Sequence, residues 1–119
     1  MKKLLTFITC MLFTGLIYGQ TLNNIPIKDL DAQYIEIMGV RKGFTKKINV
    51  FVDYGQHIKL FETDKRKFFV YEGDKKLEFN SMMDALNFFE KHGYEYVNSY
   101  AYSVGNSNVY HHLLKKRKQ

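Results

Sequence analysis

NSMMDALNFFEKHG, residues 80–93, is the stretch whose residue order demands a helix. Ser81 followed three positions later by Asp84 is a start signal: the serine oxygen can accept from an orphan amide of the first turn while the carboxylate reaches back. Asn80 is the rival cap. Met82, Ala85, Leu86 and Phe89 fall at i, i+3, i+4 and i+7, one face of a helix. Asp84, Asn87 and Lys91 fall opposite, and Gly93 suits the left-handed residue that ends a helix. Leu86 and Phe89 are the expected core anchors. Met83 and Phe88 flank the stripe, so Phe88 is expected to be part-exposed and counts as a candidate binding residue. A helix of about 12 residues is marginal alone in water, so it must dock on a neighbour.

The neighbours are strands. Gln33 to Val40 is rich in β-branched and aromatic residues. Lys47 to Tyr54 alternates Ile48, Val50, Val52 and Tyr54 with Lys47, Asn49, Phe51 and Asp53. A Gly43-containing turn over 41–46 joins the two as a hairpin. Ile58 to Phe61 reads as a short optional strand, and Thr63 to Lys67 as polar loop. Phe68 to Glu72 and Lys75 to Phe79 flank Gly73-Asp74, a tight hairpin signal. After the helix come Tyr94 to Val104, a turn over 105–108, and Val109 to Leu114. The order β-β-(β)-β-β-α-β-β predicts an α+β fold: an antiparallel sheet of six or seven strands with one helix packed on one face.

Lys2 and Lys3 precede an uncharged, mostly apolar run from Leu4 to Gly19, shorter than the ~20 residues of a spanning helix. This is the pattern of a secretory signal peptide over 1–19, with Gln20 the first mature residue. Ile17 fits the cleavage rule poorly, and retention as an anchor is the alternative. Cys10 lies too early in the run for a lipidation site. The expected organisation is then a lead-in segment over 20–32 containing Pro26 and Asn23-Asn24, a single domain over 33–114, and a basic tail over 115–119. The expected location is outside the cytoplasm, periplasmic or secreted.

About 100 residues remain after such cleavage, enough for one small domain. The only cysteine leaves with the leader, so no disulfide staples the fold. The net charge is +6. Lys2 and Lys3 carry two of the surplus charges, and Lys115, Lys116, Arg117 and Lys118 carry the other four. The basic balance therefore belongs to the termini rather than to a face, which argues against a nucleic-acid partner.

No catalytic constellation stands out. The glycines do not cluster into a phosphate-cradling loop. His57, His92, His111 and His112 show no metal-ligand spacing, and the adjacent pair in a strand points to opposite faces. Ser99 and Ser103 lack a nucleophile elbow. Asp53 and Glu95 are the candidate paired carboxylates, with solvated strand positions as the plainer reading. No metal and no cofactor is expected.

Two surface features remain as binding candidates. Tyr94, Tyr96, Tyr100 and Tyr102 occupy alternate positions of one strand. Facing the helix they are core; facing out they form an aromatic platform for a protein or glycan. Tyr94, next to Gly93, is expected under the helix end, with Tyr100 and Tyr102 the exposed pair. The second feature is the tail Lys115, Lys116, Arg117 and Lys118, suited to weak contact with anionic headgroups.

The segment FNSMMDALNFFEKHGYEYVNSY, with YHHLLKK closing the chain, resembles short secreted or periplasmic proteins of Bacteroidetes-type bacteria whose function is unassigned. More loosely it is similar to a small bacterial domain in which a helix runs into Gly-Trp-Glu-Leu-Val and a final strand ends in Lys-Arg. Here Gly93-Tyr94-Glu95-Tyr96-Val97 stands in place of the tryptophan form. The resemblance implies an α+β fold and export from a Gram-negative cell, and it brings no catalytic residues. The reading is a non-catalytic protein-interaction or envelope-associated module, with an envelope protein or a second copy as partner. The alternative is a small ligand-binding protein or enzyme with a pocket between helix and sheet.

Overall fold

The structure, a computed structural model, describes residues 19–41, 46–105 and 107–118. The predicted signal peptide up to residue 18 and the turn at 42–45 lie outside the described residues. The chain is α+β and mostly sheet, as the pattern predicts. It carries two four-stranded antiparallel sheets in place of one sheet of six or seven strands.

The strands are β1 (Gln20–Leu22), β2 (Ile25–Pro26), β3 (Tyr34–Arg41), β4 (Ile48–Asp53), β5 (Val70–Glu72), β6 (Lys75–Lys76), β7 (Tyr94–Val104) and β8 (Ser107–Lys116), with helix α1 (Met82–Lys91) before β7. The small sheet has the order β2-β1-β5-β6 and the large sheet β4-β3-β8-β7.

The extra strands come from the segment expected as a lead-in. Asn23 and Asn24 have φ of 54° and 62°, the left-handed pair of a two-residue hairpin, and they fold Leu22 against Ile25. Pro26 lacks an N–H and sits on the edge strand, where none is needed. Leu22, Ile27 and Leu30 are fully buried, so this segment belongs to the core. Ile58–Phe61 forms no strand: Leu60 and Phe61 project into solvent, 87% and 89% exposed, with Phe61 at φ 64°.

Ser81 Oγ accepts from the Asp84 amide at 3.1 Å, and Asp84 Oδ2 accepts from the Asn80 amide at 2.9 Å. This reciprocal cap starts α1 as the sequence predicts. The helix buries Ala85 and Phe89, while Leu86 is only half-buried. Phe88 is half-buried too, packing edge-on to Phe79 and Phe89 and stacking on His92. The buried stripe is therefore centred on Ala85 and Phe89, with Phe88 packed on one flank and Leu86 at an open margin.

Gly39, inside β3, leaves room for Met82 of α1. A Cβ at Gly39 would lie 2.0 Å from the Met82 sulfur. Ile35 and Ile37 of β3, Ile48, Val50 and Val52 of β4, Val70, Phe79, Tyr94 and Leu114 complete the core. The outer edge of β4 is covered. Ile48 and Phe79 exchange backbone bonds of 2.8 and 3.1 Å, and the Val52 amide donates to the Phe68 carbonyl at 2.8 Å. The other edge of the large sheet is β7, whose only ladder among the described residues is with β8.

Candidate functional site

Even-numbered tyrosines on a regular strand would share one face. Val97 prevents this. The pairing runs Tyr94↔Lys116 and Tyr96↔Leu114, then resumes at Asn98↔Leu113, so Val97 opposes no residue of β8. One extra residue is a bulge, and it exchanges the faces of everything beyond it. Tyr94 and Tyr96 lie on the helix side. Tyr100 and Tyr102 lie on the outer face, opposite His111 and Val109. The stripe of four is thus two pairs on opposite faces.

Tyr94 is fully buried, and its hydroxyl donates to the Ala32 carbonyl at 2.9 Å. Burial raises its phenol pKa above the ordinary value. Tyr100 and Tyr102 are 55% and 47% exposed. Both rest on His111, which is only 7% exposed: the Tyr100 ring stacks on it at 4.5 Å and the Tyr102 ring at 5.2 Å.

Glu36 of β3 completes the group. His111 Nδ1 lies 2.7 Å from Glu36 Oε1, and His111 Nε2 lies 3.2 Å from the Tyr102 hydroxyl. With Nδ1–H donating to the carboxylate, Nε2 accepts from Tyr102. The Tyr100 hydroxyl reaches both Glu36 oxygens at 3.4 Å. Partial burial, then the Glu36 charge and its hydrogen bond, then Tyr102, push the Tyr100 phenol up from its usual pKa. Carboxylate, imidazole and phenol in series form a relay in outline. Here Tyr102 occupies Nε2 and the Tyr100 ring covers the imidazole, so no ring nitrogen is presented to a substrate. What the network does is hold two large rings rigidly on an open face.

The opposite face carries two adjoining depressions of about 730 and about 510 Å³. They share Met83 and His112, and lie between α1 and the large sheet. Arg41, Lys46 and Tyr110 line the first; Leu86, Tyr94, Tyr96 and Leu114 line the second. His112 Nδ1 is buried there without a hydrogen-bond partner. Burial first, then the neighbouring His111, lowers the His112 pKa below its ordinary 6.5.

Three of the four terminal cations are engaged. Lys115 lies 3.4 Å from Glu95, Lys116 Nζ donates to the Leu30 carbonyl at 2.8 Å, and Arg117 pairs with Glu90. Lys118 is exposed. Strand β8 runs on to Lys116, past the expected domain end at Leu114.

Asp53 and Glu95 stand on β4 and β7, opposite edges of the large sheet, and are not brought together. Among the described residues no group of three or more His, Cys, Asp or Glu is placed to hold a metal ion. Glu36 escaped the sequence reading; its only signal was opposite phase to Ile35 and Ile37 on β3. Comparison with protein-family models, curated proteins and solved structures finds no match to this chain.

Proposed function

We propose that this chain is an exported, non-catalytic interaction module that docks a protein partner through the β7–β8 hairpin. The observation that carries the reading is β7 itself, whose residues 96–104 are all exposed. That stretch has no charged residue and presents Tyr100 and Tyr102 on the Glu36–His111 support. Rigid aromatic side chains supply contact area at small entropic cost, which suits them to anchor an interface. The leader-like run Leu4–Gly19 supports export. The terminal cations support a membrane-surface role less well, because Lys115, Lys116 and Arg117 already have protein partners.

The test is the double variant Tyr100→Ser with Tyr102→Ser, used as bait in affinity capture from the cell envelope. It is expected to keep its fold by circular dichroism and to lose the partners the parent captures. Unchanged capture by the folded variant excludes the surface.

The two depressions favour a second reading, a small-ligand site between helix and sheet with His112 lining both. A ligand-library thermal-shift screen that stabilises the parent but not His112→Phe would select this reading.

A further inference from the structure

We infer that the partner is a second copy of this chain, added β7 to β7 in antiparallel register about a two-fold axis at Ala101, so that two four-stranded sheets become one of eight strands. This inference rests on the hairpin being the interaction surface and names its occupant.

The first ground is that the edge is open and unguarded. Among the described residues β7 pairs only with β8, and alternation in that ladder leaves every second residue's N–H and C=O directed away from the sheet. Folded proteins protect such edges with charge, proline or a covering segment. The other edge of this sheet is covered by Phe68 and Phe79. From Tyr96 to Tyr110 the sequence has no Asp, Glu, Lys, Arg or Pro.

The second ground is register. The bulge at Val97 limits the regular part of β7 to Asn98–Val104, whose centre is Ala101. A two-fold contact must be self-complementary: what one copy offers, the other must accept at the mirrored position. About Ala101, Asn98 faces Val104, Ser99 faces Ser103 and Tyr100 faces Tyr102. On the outer face this makes two aromatic cross-strand pairs, the favourable kind. On the helix face it sets serine against serine and alanine against alanine, so the backbones can close to ladder distance. Glu95 lies outside the paired stretch, so no like charges meet. An edge without charge offers no electrostatic grip to a charged foreign peptide, and matches another copy of itself.

The test uses the full chain, processed as in its host, in sedimentation velocity over a wide concentration range. The parent is expected to shift from monomer to dimer as concentration rises. Ala101→Lys sets two ammonium groups face to face at the axis and should raise the dimerisation midpoint about tenfold or more while the fold persists by circular dichroism. In a Cys10→Ser background, Ala101→Cys should cross-link copies under mild oxidation, because paired Cα atoms fall within disulfide reach. Ser99→Cys should not, because its two copies lie four residues apart along the ladder, about 13 Å. A parent that is monomeric throughout, a dimer indifferent to Ala101→Lys, or equal cross-linking at both cysteines overturns the inference. If the chain stays monomeric while capture of other proteins still depends on Tyr100 and Tyr102, only the choice of occupant fails. If no association of any kind responds to hairpin substitutions, the interaction reading fails with it.

Discussion

Gly39 shows how much one missing methyl can decide. Placed inside β3, it is the seat for Met82 of α1. Gly39→Ala should destabilise the fold by about 1–3 kcal/mol, the usual cost of overpacking, because Met82 must leave its place. Met82→Ala in the same chain should recover part of the loss, since it removes the side chain that collides. Chemical denaturation of the two single variants and the double variant checks this; strictly additive losses would separate the two residues.

His112 carries the pH dependence at this scale. Its folded pKa lies below 6.5, so the unfolded chain binds the proton more readily than the native one. The stability it contributes is full above about pH 6.5 and is lost as pH falls through the lower folded value. Melting of His112→Gln beside the parent, at about pH 7.5 and about pH 5, should therefore show the smaller acid-side drop in the variant. Equal drops would mean that His112 is not the titrating group.

At the scale of elements, α1 is the clearest case. Phe89 is fully buried whereas Leu86 borders the second depression. Phe89→Ala should cost about 3–5 kcal/mol, and Leu86→Ala clearly less, because a site at an open margin leaves a smaller cavity. Denaturant midpoints decide it, and equal losses would put Leu86 back in the core. The periodicity of residues 80–93 made the helix and its cap legible, but four apolar residues on one stripe do not say which pair is buried deepest; in the fold it is Ala85 and Phe89. Strand β7 was legible to the residue from its alternation. Its bulge was not, because Val97 is as good a strand residue as its neighbours and only the pairing with β8 shows that it has no partner. The β1–β2 hairpin was hidden for a related reason: a strand of two or three residues has no period, and the Asn23-Asn24 turn was its only mark. The Glu36–His111–Tyr102 network joins three strands, and no spacing along one chain encodes it.

For the molecule as a whole, the C-terminal residues are structural. Lys115 is paired in ladders on both sides of β8, with Tyr34 and Glu95; Lys116 is paired with Tyr94 and its amide donates to the Gln33 carbonyl at 2.7 Å; and the Arg117 amide donates to the Gly93 carbonyl at 2.8 Å. The sequence reads residues 115–119 as a basic tail whose removal leaves the melting midpoint nearly unchanged, with Lys115 alone open to membership of the last strand. The structure reverses that expectation. Deleting them should lower the melting midpoint by several degrees, about 4–8 °C for each kcal/mol lost in a domain of this size. An unchanged calorimetric midpoint would make this end of β8 dispensable.

The central ladder of the large sheet joins β3 to β8, and Gln33 bonds to Lys116 across 83 residues. A chain being synthesised therefore holds β3 and β4 long before the strand that belongs between β3 and β7 exists. The local hairpins can form early, but the main sheet cannot close until its last strand is made, and joining such distant segments is the slow step in folding.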